Sequence, residues 1–486
     1  MGFIELISDS RRTFLLAAAT LGFGVSAAAV TLFVDLPFFL NLVYLGTAVS
    51  IAVLLYISNL KLYFGYTWIL WLLSPFVRRV IDFTVGEFNP APFPLLAPSL
   101  ASTLALTSVL QHTRRLASPP YSGLVLLFVG SVIGLLSGLA ADLGIVAVIN
   151  GFLDYIAPLC LCFHIIAFWR LYPKHRDAAL SVFVYGAAVM GVYGIYQYYF
   201  LPEWDKIWMI GSQMLSIGFP RPQELRVFST LNSPGPYAMI MAAALIYAFA
   251  QRGVVTRVLS VPAYIGWLLA LVRASWIGWL VGLVFCVVNT QGIERKRLTQ
   301  ILIATVILAL PVLVTTGTVM DTVASRAQTL QDVQEDGSFE GRLGQYTHAH
   351  KFILESPLGR GTGAPASDSG IITVFLHLGI VGGIIYFTGF VIVAWHAWRA
   401  RSRHADGFAR YALSVGMMMC FLMLAGGQHA GLNGMMLWSS LSLAIAGSMY
   451  GETQRAFVST KKLDGRLNTS AQRSPPPKTK HVRITS

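Results

Sequence analysis

Apolar residues run for about 15 to 25 positions at a time from Thr13 to Ala446, separated by short polar clusters. A helix needs about 20 apolar residues to cross a hydrocarbon core about 30 Å thick. The runs are continuous rather than alternating, so they read as helices and not as strands of a barrel. Spans are predicted near 13–34, 37–57, 62–77, 93–110, 122–140, 152–169, 178–200, 235–250, 259–272, 274–289, 298–318, 371–396, 411–425 and 432–449. The predicted fold class is all-α: a polytopic integral membrane protein of about 12–14 transmembrane helices. Residues 1–200 form its N-terminal helices and 201–450 a core with two long loops, 201–234 and 320–370. The basic segment 451–486, interrupted by Pro475-Pro476-Pro477, reads as a disordered tail on the cytoplasmic membrane surface.

Composition agrees with this pattern. Of the 486 residues 55% are hydrophobic and 12% charged, about half the charged share of a soluble domain. The net charge of +13 could signal a nucleic-acid partner, but its placement excludes one. Basic residues gather between spans, at Arg11/Arg12, Lys61, Arg114/Arg115, Arg170–Arg176, Arg252/Arg257, Arg295–Arg297, Arg399–Arg410 and after Arg455. Placing these segments in the cytoplasm leaves roughly 15 of the 22 acidic residues outside, as the positive-inside rule expects. The four cysteines, Cys160, Cys162, Cys286 and Cys420, all fall within apolar runs and read as small buried hydrophobes. Ser10-Arg11-Arg12 before an apolar run imitates a twin-arginine export signal, yet the many later spans make an uncleaved first helix the better reading.

Charge also predicts an unusual hairpin. Arg257 and Arg295–Arg297 share the cytoplasmic side, so the residues between them must cross and return as two arms of about 15 residues, each reaching about 22 Å. Arg273 sits at the tip, expected to lie below the external surface in protein or in a water-filled cavity; the plainer alternative is a cation snorkelling to the headgroups. The 320–370 loop exceeds the length of ordinary connections. It carries Gly341-Arg342, apolar positions at Tyr346 and Phe352–Leu354, and Pro357-Leu358-Gly359-Arg360-Gly361-Thr362-Gly363, a pattern that fits short helices on the outer leaflet.

Four of these segments together resemble a known family. Arg226-Val227-Phe228-Ser229-Thr230-Leu231-Asn232 leading to Ala238, Arg273-Ala274-Ser275-Trp276, the Gly341…Gly363 loop, and Asp368…Leu378-Gly379 resemble, in order and topology, the O-antigen ligase and Wzy-type polymerase superfamily. The resemblance covers about Leu201 to Ile385; the helices before it carry no matching motif. It implies a GT-C-type membrane glycosyltransferase of the bacterial inner membrane, working at the periplasmic face without a metal or other cofactor. Its donor and acceptor would be polyprenyl-pyrophosphate-linked oligosaccharides, with membrane lipid around it and a chain-length regulator or export machinery as candidate partners. Ligases carry His eleven residues before the glycine of the re-entering segment, where this chain has Asp368, which is more like the polymerase branch. Polymerisation of repeat units into exopolysaccharide or O-antigen is therefore the leading expectation, and a ligase the nearest alternative. A transporter or flippase would place ionisable residues deep in spans and break helices in paired positions, and the chain shows no internal repeat.

Arg226, Arg273 and Arg342 lie on three separate external segments, and Arginine's planar fork binds phosphate bidentately, so they are the candidate pyrophosphate ligands, with Arg360 as a fourth. Asp368 is the candidate general base, or else a cap of the helix that follows it. His348 and His350 are the other base candidates, and His377 reads as a satisfied interior histidine.

Overall fold

The computed structural model describes residues 37–90, 93–251, 253–315, 356–403 and 405–472. The expected span at 13–34, Arg342, His348, His350 and most of the 320–370 loop lie outside the described residues. So does the chain beyond 472.

Helices account for the described core, with an isolated bridge between Gly218 and Leu225 as its one extended pairing. In chain order they are α1 (Pro37–Ser58), α2 (Leu60–Val85), the broken helix α3 (Phe93–Gln111), α4 (Tyr121–Ala140), α5 (Ile145–Ala167), α6 (Tyr172–Phe200) and α7 (Glu203–Ser212). Then come α8 (Pro234–Ala248), α9 (Val254–Leu269), α10 (Arg273–Asn289), α11 (Gly292–Thr315), α12 (Gly370–Arg399), α13 (Gly407–Leu422) and α14 (Gly431–Gln472). Among the described residues, seven helices are long and apolar enough to cross a membrane, so the chain is a multi-pass, all-α membrane protein. Large apolar side chains such as Leu54, Leu136, Val192, Phe200, Val258 and Trp395 stand exposed on their outer faces, where lipid rather than water is the neighbour. α14 runs as helix through the segment from 451 that composition assigns to a tail.

Local chemistry explains the element ends. Asn59 caps α2 by accepting from the amides of Lys61 and Leu62, at 3.1 and 3.2 Å, and Gly86 closes it in a left-handed conformation. α8 has only 15 residues yet is buried on nearly all sides, as an all-apolar helix must be when it occupies a bundle centre. α9 and α10, of 16 and 17 residues, are the two short arms of the expected hairpin. α4 and α12 lie close because Gly130 faces Gly382; a Cβ on Gly130 would stand 2.9 Å from the Gly382 carbonyl oxygen. The four cysteines form no disulfide, and Cys160, Cys162 and Cys286 are buried.

At the end of the bundle carrying the basic clusters, Arg176 pairs with Asp177 and Asp406 at 2.8 Å each. Glu294, Arg410 and Tyr411 join them around a cavity of about 440 Å³. The Arg226–Asn232 segment, the tip before Arg273 and the start of α12 lie at the opposite end.

Candidate functional site

Asp205 and Gln197 organise the first of these segments. Arg79, near the end of α2, donates to Asp205 Oδ1 at 2.5 Å and to the Ser229 carbonyl. Asp205 Oδ2 accepts from Tyr193 at 2.7 Å and from Gln197 at 2.6 Å. The Gln197 carbonyl oxygen in turn accepts from the amides of Phe228 and Ser229, at 3.1 and 2.8 Å. These bonds tie the Arg226–Asn232 stretch to α2 through Arg79 and to α6 through Gln197. Trp208 closes it from outside by donating to the Asn232 carbonyl at 3.1 Å.

Arg226 is thereby aimed at the tip of the hairpin. Its Nε donates to the Ala270 carbonyl at 3.1 Å, Nη2 to Leu271 at 3.0 Å and Nη1 to Ser216 at 3.1 Å. Ala270 and Leu271 immediately precede Arg273, the exposed first residue of α10. Two of the predicted cations are therefore brought to one junction by direct bonding between their segments.

The glycine-rich end of the long loop does not lie on the surface. It docks into a break in α12 at Gly379, whose φ of 69° and ψ of −175° interrupt the helix. The break frees main-chain groups that the loop then satisfies. Arg360 and Gly361 amides donate to the Leu376 and His377 carbonyls at 2.7 and 2.9 Å, and the Ile380 amide donates to the Pro357 carbonyl at 2.9 Å. Thr362 extends the docking to α4 and α5: its amide donates to the Gly134 carbonyl at 2.9 Å and its hydroxyl to that of Val148 at 3.0 Å. The expected leaflet-surface helix is replaced, over Pro357–Gly363, by a plug of turns docked on three membrane helices, because the amides and carbonyls freed by the helix break need partners.

Arg360, on the plug, and Asp368, past it, are both exposed. Ser369, not Asp368, occupies the N-cap position of α12, and its side chain makes no capping bond.

Beneath the start of α12 lies a polar cluster that sequence reasoning missed. His377 Nε2 is 3.0 Å from the Ala364 carbonyl and its Nδ1 is 3.1 Å from the Tyr155 hydroxyl, which lies 3.1 Å from His429 Nε2. A carbonyl only accepts, so His377 carries its proton on Nε2; Tyr155 then donates to His377 Nδ1, and His429 donates from Nε2 to Tyr155. This chain of assignments leaves His429 Nδ1 as a bare lone pair. That atom is buried with no partner among the described residues, and a Cβ on Gly370 would stand 3.1 Å from it. His429 lies in the turn between α13 and α14, outside both spans, and burial, with His377 adding to it, pushes its pKa down to about 3. In the same turn Gln428 Oε1 is buried without a partner among the described residues, as is Asn433 Oδ1 just beyond it. Asp154 precedes Tyr155 on α5, is exposed, and lies beside Gly431, where a Cβ would be 3.5 Å from its Oδ1. The available signal was Asp154 itself, an ionisable residue inside an apolar run.

Among the described residues no group of three or more His, Cys, Asp or Glu is placed to hold a metal ion. Arg226 bonds the turn that leads to Arg273, while Arg360 lies on the docked segment and Asp368 just before α12.

A multi-pass helical membrane protein with a broken helix, a docked glycine loop and an arginine clasping a hairpin tip is the class that these features define. Residues 258–387 match the model of the O-antigen ligase family (Wzy_C). The match spans α9 to the break in α12 and supports the resemblance to the O-antigen ligase and Wzy superfamily. It includes Arg273 and Asp368 but not Arg226, Asp154 or His429. No curated protein matches the chain.

Proposed function

We propose that this protein is a glycosyltransferase of the inner membrane that joins polyprenyl-pyrophosphate-linked oligosaccharide repeats at the periplasmic face. The observation that carries the reading is the junction of Arg226 with the Ala270–Arg273 turn, the turn itself lying inside the stretch that matches the O-antigen ligase family. In this reading Arg273, with Arg226, Arg342 and Arg360, offsets the charge of the pyrophosphate leaving group, as guanidinium forks do for phosphate oxygens. The anomeric carbon loses its bond to pyrophosphate as an acceptor hydroxyl attacks, and Asp368 takes the hydroxyl proton. His348 and His350 are the alternative bases. The exposed apolar helix faces give the lipid tail a place to lie.

A ligase that transfers a finished glycan to a different acceptor is the second reading, favoured by the description of the matched family. Purified protein given a purified polyprenyl-pyrophosphate oligosaccharide separates the two. A ladder of lengthened lipid-linked products is expected for the polymerase. Product only after addition of a separate acceptor, in a single transfer, would establish the ligase instead. No transfer under either condition would overturn both.

A further inference from the structure

The buried polar atoms of the α13–α14 turn without partners among the described residues share one chemistry. Asp154 is a carboxylate that stands about 14 Å along α5, and it faces the α13–α14 turn beside Gly431. Gln428 Oε1, His429 Nδ1 and Asn433 Oδ1 are the neighbouring atoms on or just after that turn without partners among the described residues. All four groups accept hydrogen bonds, and none of these atoms donates. Gln428 and His429 are 2% and 1% exposed, so their unmet acceptors carry a desolvation cost that a ligand rich in donors would remove. A pyrophosphate offers only acceptors and would be repelled here. A sugar offers a row of hydroxyl donors.

We infer that Asp154, with the Gln428–His429 turn, forms a subsite for the hydroxyl groups of the acceptor sugar, separate from the arginine junction that takes the pyrophosphate. The inference rests on the glycosyltransferase reading and deepens it. Tyr155 is the positioning residue: its bonds to His377 and His429 fix the tautomer that leaves Nδ1 an acceptor. The two halves of the substrate are sorted by hydrogen-bond polarity, acceptors meeting arginine donors on one side and donors meeting acceptors on the other. Asp154 acts in binding, with Asp368 left as the proton acceptor.

The test is direct binding to the full chain in lipid nanodiscs, with two probes. One is the lipid-free oligosaccharide released by mild acid from the lipid-linked repeats of cells lacking this protein; the other is inorganic pyrophosphate. Asp154→Asn keeps the shape of the side chain and removes its charge. It should weaken oligosaccharide binding about 10-fold, the loss of one charge-assisted hydrogen bond, and leave pyrophosphate binding within about 2-fold. Arg273→Ala should do the reverse. Tyr155→Phe should weaken oligosaccharide binding alone. Oligosaccharide affinity unchanged in Asp154→Asn, or no oligosaccharide binding by the unaltered protein, overturns the subsite. Binding that depends on Asp154 in a protein that transfers no sugar would uphold the subsite and sink the glycosyltransferase reading; transfer that ignores Asp154 would do the opposite.

Discussion

Arg79 and Asp205 form an ion pair at 2.5 Å with both side chains fully enclosed, joining α2 to a short helix 126 residues later in the chain. Removing one partner would strand the other charge in a place with no water. Arg79→Ala should therefore destabilise the protein by about 3–5 kcal/mol, read as a fall in its thermal midpoint in detergent. Arg79→Met combined with Asp205→Leu leaves no stranded charge and should recover most of that loss. A double variant no more stable than Arg79→Ala would mean that the pair itself, and not the cost of a lone charge, holds the Arg226–Asn232 segment.

Gly379 is the second point where one residue decides local structure. Its backbone occupies a region open to glycine alone, and a Cβ there would collide with the Pro357 carbonyl. Gly379→Ala should cost about 1–3 kcal/mol in backbone strain before the collision is counted. The expected result is a plug that undocks: the Pro357–Gly363 stretch should become cleavable by protease from the outer face while the protein still inserts. Protection equal to that of the unaltered protein would show that the loop docks without the break.

The elements whose cause is local were legible from the chain. Run length predicts the spans, and the spacing between Arg257 and Arg295 predicts two short arms, because hydrocarbon thickness and charge placement act on each segment separately. Gly359, Arg360 and Gly361 could be singled out as a turn, but not their partners Leu376 and His377, since a break in a helix satisfied by another segment is a pairing between distant positions. The same holds for the cluster. Tyr155, His377 and His429 lie on three elements far apart in sequence, and each alone reads as an interior polar residue with a local partner. Only their convergence leaves a lone pair unmet.

His429 sets an expected pH dependence. Its pKa is depressed in the folded protein, to about 3 from an ordinary 6.5, so the neutral ring stabilises the fold fully above 6.5. That contribution is lost as pH falls through 6.5 toward 3, at about 1.4 kcal/mol per pH unit. His429→Gln cannot charge and should show a shallower decline of thermal midpoint with acid than the unaltered protein. Parallel declines for the two proteins would remove His429 as a source of acid lability.

Arg226 and Arg273 should differ in how they fail. Arg273→Ala should lower transfer by about 10²-fold or more, the usual cost of deleting one donor to developing charge, with normal amounts of protein in the membrane. Lys at 273 should restore part of the activity, because charge returns without the fork. At Arg226 Lys should restore little, since one ammonium cannot reach the carbonyls of Ser216, Ala270 and Leu271 together. With arginines carrying the electrostatic role, transfer should persist in excess EDTA. Activity lost to EDTA and regained with magnesium or manganese would overturn that role.

Asp368 carries the boldest expectation. It stands exposed two residues before α12, eleven before the break at Gly379, and next to Ser369, which holds the N-cap position. A helix cap would explain an aspartate here, but the capping position belongs to its neighbour, so Asp368 is not the N-cap of α12. A carboxylate that takes a proton during transfer must lose that ability when converted to an amide of the same shape. Asp368→Asn should lower the rate by at least about 10²-fold, the low end of general-base contributions, with the thermal midpoint unchanged. The rate that remains should also lose the acid limb of its pH profile, which a purely structural role would not alter. If Asp368→Asn instead transfers sugar at nearly the normal rate, Asp368 leaves the mechanism, and His348→Gln and His350→Gln become the decisive variants.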